Sequence, residues 1–239
     1  VQNSSSKGIL YLIPCPIAEQ LIETIPPQTI DVIHGLKNFI AERAKTARHF
    51  IKATNPPYAI QELEIVEINK YTTVEEKQAY IKPLLEGKDV GLLSEAGCPG
   101  VADPGSYIVE LAHEQGIKVV PLVGPSSILL ALMASGMNGQ SFTFHGYLPV
   151  KKPQLTSELK KLETLSQRQK QTQLFIEAPY RNMQLMESAI QSLGKETRFG
   201  VAANLTTKDQ IIMVKKAKDW HQKDLPEIHK IPAVFFIMA

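Results

Sequence analysis

Ser94-Glu95-Ala96-Gly97-Cys98-Pro99-Gly100-Val101-Ala102-Asp103-Pro104-Gly105 is the most informative stretch of the chain. It follows an apolar run, Asp89 to Leu93, that reads as a strand. It precedes a segment with helical periodicity, Ser106 to Glu114. Three glycines and two prolines in twelve residues make it a strand-to-helix loop of unusual stiffness. Glycine permits positive φ and close backbone approach, whereas proline restrains the turn. Such a loop can hold its N–H and C=O groups fixed toward a ligand, although a purely structural turn could draw on the same residue types.

Outward from this loop, the first half alternates apolar runs with amphipathic ones. Gly8 to Ile13, Thr29 to Ile33, Ile65 to Ile68 and Ile117 to Val120 are expected strands. Leu36 to Ile51, Val74 to Leu85 and Ser126 to Ser135 are expected helices. Strands alternating with helices imply a parallel sheet covered on both faces. The second half reads differently. Phe142 to Tyr147, Thr172 to Glu177, Arg198 to Ala203, Gln210 to Val214 and Ala233 to Met238 are expected strands. Helices are expected at Thr156 to Gln167 and Tyr180 to Leu193. Consecutive strands without a helix between them imply an antiparallel component. The expectation is an α/β chain of two domains, residues 1–120 with a parallel sheet and residues 121–239 with a mixed sheet.

Ligands of open parallel sheets bind beyond the carboxyl ends of the strands. Two further loops occupy that position: Pro14-Cys15-Pro16, and Val123-Gly124-Pro125-Ser126-Ser127. The last opens a helix, whose free N–H groups suit a carboxylate or phosphate. The sequence contains no Walker A pattern, no GxGxxG and no GxSxG.

Composition sets broad limits. The chain has 239 residues, 44% hydrophobic and 21% charged, ordinary values for a folded domain and not for disorder. A net charge of +2 permits an RNA partner without requiring one. The two cysteines, Cys15 and Cys98, are too few for a disulfide framework and lack zinc spacing, so no metal is expected and a reducing cytoplasm is the simplest compartment. No apolar run reaches the roughly 20 residues that span a bilayer, and the polar start has no signal-peptide core.

Five ordered segments resemble the RsmI family, which methylates a ribose 2′-oxygen in small-subunit ribosomal RNA. Ser94 to Gly105 resembles its SDAGTPLISDPG loop, and Val119 to Ser127 its VVPIPGPSA segment. Tyr11 to Ile17 resembles YVVATPIGN, Phe142 to Lys152 resembles FLFEGFLPRKK, and Phe175 to Arg181 resembles FYESPHR. The wider group is the tetrapyrrole methylases, two-domain α/β homodimers that hold S-adenosylmethionine between their domains. The resemblance implies a methyltransferase of that fold, a homodimer, and S-adenosylmethionine as cofactor. It implies cofactor contacts at Ser94, Glu95, Ala96, Gly97, Cys98, Pro99, Val101, Ala102, Gly124, Ser126 and Ser127. From the second half it adds Glu177, Ala178, Ala202, Pro232 and Ala233. On the acceptor side the candidates are Pro16, Glu42, Arg48, Asn69, Lys151, Lys152 and Arg181. No catalytic base is identified.

The departures from the RsmI pattern cluster. The family's AEDTR is Ala41-Glu42-Arg43-Ala44-Lys45 here, so an acid has become Arg43. HNE is Ile68-Asn69-Lys70, and RELTK is Ala203-Asn204-Leu205-Thr206-Thr207. Glu95 and Cys98 replace an aspartate and a threonine. The cofactor loops are thus closer to the pattern than the segments facing the acceptor. A small-molecule or protein acceptor, or a non-catalytic module that binds S-adenosylmethionine or RNA, stands as the alternative.

Overall fold

The computed structural model describes residues 6–18, 21–68 and 74–239. The chain divides into two units, one ending at Ser126 and the other beginning at Ser127. Asn69, one of the acceptor-side candidates, lies outside the described residues.

The first unit is built from β1 (Ile9–Ile13), α1 (Pro27–Gly35), β2 (Asn38–Ala41), α2 (Ala44–Ala53), β3 (Glu64–Glu67), α3 (Val74–Leu85), β4 (Val90–Leu93), α4 (Ser106–Glu114) and β5 (Lys118–Pro121). Its five strands are all parallel, in the order β3-β2-β4-β1-β5. Side chains alternate between the faces along each strand. Ile13, Phe39, Ala41 and Leu93 therefore join Ile33 of α1 and Ala47, Phe50 and Ile51 of α2 in one apolar cluster. Leu10, Ile40, Val90 and Leu92 join Leu84 of α3 and Ile108 and Ala112 of α4 in another. Burial on both faces explains why β4 reads as an unbroken apolar run.

Two sequence expectations are corrected here. Thr29 to Ile33 is not a strand but the middle of α1. Pro26 and Pro27 start a helix, since proline at the first turn loses no internal hydrogen bond. Thr29 and Ile33 then fall on one buried face, where the Thr29 hydroxyl donates to the Val123 carbonyl at 2.8 Å. Nor is Leu36 to Ile51 one helix: it holds β2, a two-residue turn and α2. Phe39 and Ile40 point to opposite faces of a sheet buried on both sides, and that pattern is indistinguishable from a helical one over so short a run.

The second unit contains α5 (Ser127–Ser135), β6 (Phe142–Tyr147), α6 (Lys152–Gln169), β7 (Thr172–Ile176), α7 (Asn182–Ser192), β8 (Arg198–Ala203), β9 (Ile211–Lys216) and β10 (Ala233–Met238). A 3-10 turn, Pro179–Arg181, leads into α7 where the sequence suggested a continuous helix. The sheet order is β6-β7-β10-β8-β9. Only β6 and β7 pair in parallel, so the sheet is mixed. One face packs on α6 and α7 through Phe175, Phe199, Val201, Phe235 and Ile237. The other packs on α5 through Leu174, Ala202, Val234 and Phe236. Phe175, Phe235 and Phe199 form a ladder across three neighbouring strands, with ring centroids 6.1 and 6.3 Å apart.

Candidate functional site

In the first unit the three strand-end loops are tied to one another. Cys15, just past β1, forms an antiparallel bridge with Gly97: its N–H donates to the Gly97 carbonyl at 2.9 Å and its carbonyl accepts from Gly97 N–H at 3.0 Å. Gly97 has φ of 70°, a conformation that only glycine adopts without cost. The Ser94 hydroxyl donates to the Gly97 carbonyl at 2.8 Å. The Cys98 thiol lies 3.5 Å from the Pro125 carbonyl of the third loop. Gly124 packs so closely on Pro14 that a Cβ there would stand 2.3 Å from the proline ring.

Asp103 folds the rest of the long loop. Its Oδ1 accepts from Gly100 N–H and Gly105 N–H, both at 2.8 Å. Between these anchors the chain rises through Val101 and Ala102, the latter with φ of 60°. Both residues are exposed, and their peptide groups make no hydrogen bond among the described residues. A rigid loop whose crest keeps free donors and acceptors can recognise a polar ligand through backbone alone.

Three carboxylates gather around this loop. Burial holds Glu42 above the ordinary carboxylate range, and the negative charges of Asp103 and Glu95 push the same way. Burial likewise raises Asp103, against the two glycine N–H groups. Both groups therefore carry their charge at a cost in the folded state, and that cost is relieved as pH falls through their raised values. Asp103→Asn keeps an oxygen for Gly100 and Gly105 while removing one charge. The Glu42 midpoint should then move down toward the ordinary range, as read by carboxyl-carbon NMR; an unmoved midpoint would show that Glu42 does not feel Asp103. Burial pushes the Cys15 thiol up to about 12 and also raises Cys98. Both are thus protonated at neutral pH and are poor nucleophiles.

Beside the Cys15–Gly97 bridge lies a cavity of about 790 Å³, lined by Cys15 to Ala18, Ile22, most of α2, Ile60, Ser94 and Glu95. Pro16 and Arg48 line it. Glu42 sits at the end of β2, just before α2.

In the second unit one end of the sheet collects the remaining candidates. Because β10 runs antiparallel to both neighbours, its start meets the ends of β7 and β8. This brings Glu177 and Ala178, Ala202, and Pro232 and Ala233 together. Glu177 is buried and accepts from Ala178 N–H at 2.6 Å and from Arg181 Nη2 at 2.5 Å. This partner holds the Arg181 guanidinium above its usual range. Arg181 Nη1 donates to the Tyr180 hydroxyl at 3.2 Å, and the guanidinium stands 5.1 Å from the Tyr180 ring centroid. Arg181 Nε is buried without a hydrogen-bond partner. Glu177→Ala should lower unfolding stability by about 1–2 kcal/mol, less than a fully buried pair because Arg181 stays partly exposed; urea denaturation checks this.

Lys151 and Lys152 open α6, exposed, and join no ion pair among the described residues. The structure does not tie them to the Glu177 group. Sequence reasoning missed Asp103, the exposed Tyr147 and Tyr180, and the cations Arg43, Lys45 and Lys52. The spacing of Lys45, Arg48 and Lys52 was a legible signal, since the expected helix from Leu36 to Ile51 already covered the first two. Among the described residues no group of three or more His, Cys, Asp or Glu is placed to hold a metal ion, and no helix is long and apolar enough to cross a membrane.

The family described as Tetrapyrrole (Corrin/Porphyrin) Methylases matches residues 21–220. Among curated proteins, the chain is similar to ribosomal RNA small subunit methyltransferase I of Bacillus subtilis, 33% identical over 86% of this chain and 66% of that protein. The protein of that name from Pseudomonas aeruginosa is 30% identical over 92% and 75%. That of Vibrio cholerae is 30% identical over 83% and 65%, so the chain spans about two thirds of the length of such relatives. Among solved structures, the methyltransferase CobJ superposes with a TM-score of 0.63 at 16% identity, covering 98% of this chain and 94% of that one. Cobalt precorrin-4 methyltransferase CbiF gives 0.61 at 16% identity, covering 96% and 94%. The fold is that of these enzymes, and the chain belongs to the tetrapyrrole (corrin/porphyrin) methylase family.

Proposed function

We propose that the chain is an S-adenosylmethionine-dependent methyltransferase acting on a ribose 2′-oxygen of small-subunit ribosomal RNA. The observation that carries this reading is the Ser94–Gly105 loop, rigidly anchored at Gly97 and Asp103 while Val101 and Ala102 keep free peptide groups. Those groups match a ligand with amino-acid, ribose and adenine parts, each hydrogen-bonding. Ser94, Glu95, Ala96, Gly97, Cys98, Pro99, Val101 and Ala102 would hold it, with Gly124, Ser126 and Ser127. By the family resemblance, Glu177, Ala178, Ala202, Pro232 and Ala233 are the cofactor-side candidates of the second unit.

When bound, S-adenosylmethionine supplies a methyl carbon already activated by its sulfonium. The protein's own task is then alignment and exclusion of water, which can account for much of the rate. The Val101 and Ala102 peptide groups, held between the Gly100 and Gly105 anchors on Asp103, would be ordered before the ligand arrives, so little ordering cost would fall on binding. The protonated thiols of Cys15 and Cys98 argue against a covalent route through cysteine. By family resemblance the chain would act as a homodimer, and its RNA acceptor would be met in the cytoplasm.

The test is transfer of labelled methyl from S-adenosylmethionine to small ribosomal subunits, followed by nucleoside mass spectrometry. A new 2′-O-methyl nucleoside is expected; label in a base or in protein would overturn the acceptor. One feature favours a different acceptor as second reading: Ala203-Asn204-Leu205-Thr206-Thr207 forms a strand end and tight turn, with Asn204 and Thr206 at positive φ and none of the charges of the RELTK pattern.

A further inference from the structure

The cavity along α2 has a chemical character that cofactor binding does not use. Its apolar part is formed by Pro16, Ile17, Ile22, Phe50 and Ile60. Its rim carries Arg43, Lys45, Arg48 and Lys52 as fixed cations, with His49 among them and Glu95 as the one carboxylate among the described residues that line it. Lys45, Arg48, His49 and Lys52 recur at helical spacing and so share one exposed face of α2, while Ala47, Phe50 and Ile51 are buried on the other. None of these cations joins an ion pair among the described residues.

That arrangement works against the helix. Arg43 holds the N-cap position without a side-chain cap hydrogen bond and Lys45 lies in the first turn, where the helix dipole favours anions; the one anion held there comes from β3, where Glu67 accepts from Ala44 N–H at 2.6 Å. Lys45 to Arg48 and Arg48 to Lys52 are like-charge neighbours one turn apart, and α2 has no acidic residue to offset them. A helix that forgoes local stability to converge unpaired cations on a concave surface is arranged for an external polyanion. The concavity, within the range of about 300–1,000 Å³ for small-molecule sites, offers apolar surface to a sugar or base as well as charge to phosphate. A regular duplex keeps its bases stacked inside and has nothing to insert there, whereas an unpaired strand does.

We propose that the cavity along α2 binds the sugar-phosphate backbone of single-stranded RNA, with Arg43, Arg48 and Lys52 contacting phosphates and the Ile17–Phe50 surface receiving an unpaired nucleotide. This deepens and rests on the RNA methyltransferase reading. Because Cys15, Ser94 and Glu95 also line the cavity, a strand seated there passes beside the Gly97 loop.

The experiment measures binding of a fluorescent single-stranded oligoribonucleotide by anisotropy at several salt concentrations, with S-adenosylmethionine binding followed separately by calorimetry. The triple variant Arg43→Ala, Arg48→Ala, Lys52→Ala should bind the RNA at least about tenfold more weakly near physiological salt. Its salt dependence should flatten by about 0.7 in slope per lost contact, with cofactor binding unchanged. Arg48→Glu should weaken RNA binding while raising the melting temperature, since a carboxylate one turn before Lys52 relieves the like-charge pair; a merely structural role would not divide the two readouts. Unchanged affinity and slope in the triple variant would overturn the proposal. So would equal affinity for duplex RNA, or displacement of the strand by millimolar inorganic phosphate. Absence of cofactor binding in the wild-type protein would instead remove the methyltransferase reading and leave the RNA result standing.

Discussion

Gly97→Arg is expected to abolish S-adenosylmethionine binding, lowering affinity by at least about a hundredfold, or ~2.7 kcal/mol. Gly97 is the joint of the candidate cofactor loop: both its N–H and its C=O are bonded to Cys15, and its φ is 70°. An L-residue forced into that conformation costs about 1–2 kcal/mol before its side chain is placed. A Cβ there would already stand 3.6 Å from the Pro125 carbonyl, and an arginine must extend past it. Gly97→Ala separates strain from bulk: it should lower the melting temperature by a few degrees yet retain measurable binding. Calorimetry on variants whose circular dichroism matches the wild type decides the matter. Undiminished binding in Gly97→Arg would remove this loop from the cofactor site.

Phe235→Ala carries the largest expected loss of stability, about 3–5 kcal/mol. Phe235 has no exposed surface and sits between Phe175 and Phe199, stacked nearly parallel to both. The site cannot collapse easily, because the strands on either side are pinned by continuous registers from Ala233 to Met238. Such a loss is a large fraction of the roughly 5–15 kcal/mol that holds an ordinary domain folded. Because the ladder belongs wholly to the second unit, denaturant unfolding should become biphasic, with that unit melting first. A single unshifted transition would show that the aromatic ladder contributes little.

Local signals were read correctly where punctuation was strong. The strands ending at Ile13 and Leu93 and the helix from Ser106 are each bounded by proline- and glycine-rich loops, and the structure has them within a residue or so. The misreadings at Pro27–Gly35 and Asn38–Ala41 have a common cause. Short β-branched or apolar runs carry no periodicity that separates a helix from a strand buried on both faces, so tertiary burial decides. The basic face of α2 did not depend on that error, since the expected helix from Leu36 to Ile51 already held Lys45, Arg48 and His49 at helical spacing; what the sequence left unmarked was the cavity beside it. Asp103 was passed over because an aspartate among glycines reads as an ordinary turn residue until its two N–H partners are known.

The sequence by itself determined the alternation of strands and helices, the parallel and mixed halves, and the family pattern in the strand-end loops. These rest on composition and order along the chain, which need no partner in space. Only the tertiary structure decided that Cys15 bridges Gly97, that the charges of Asp103 and Glu95 reach Glu42, that Glu177, Ala202 and Ala233 meet at one end of the second sheet, and that four cations without an ion pair among the described residues rim one cavity. The Cys15–Gly97 bridge, the approach of Asp103 to Glu42 and the meeting of Glu177 with Ala202 and Ala233 each join residues tens of positions apart. Such juxtapositions are set by strand order and register, which short-range propensity does not encode.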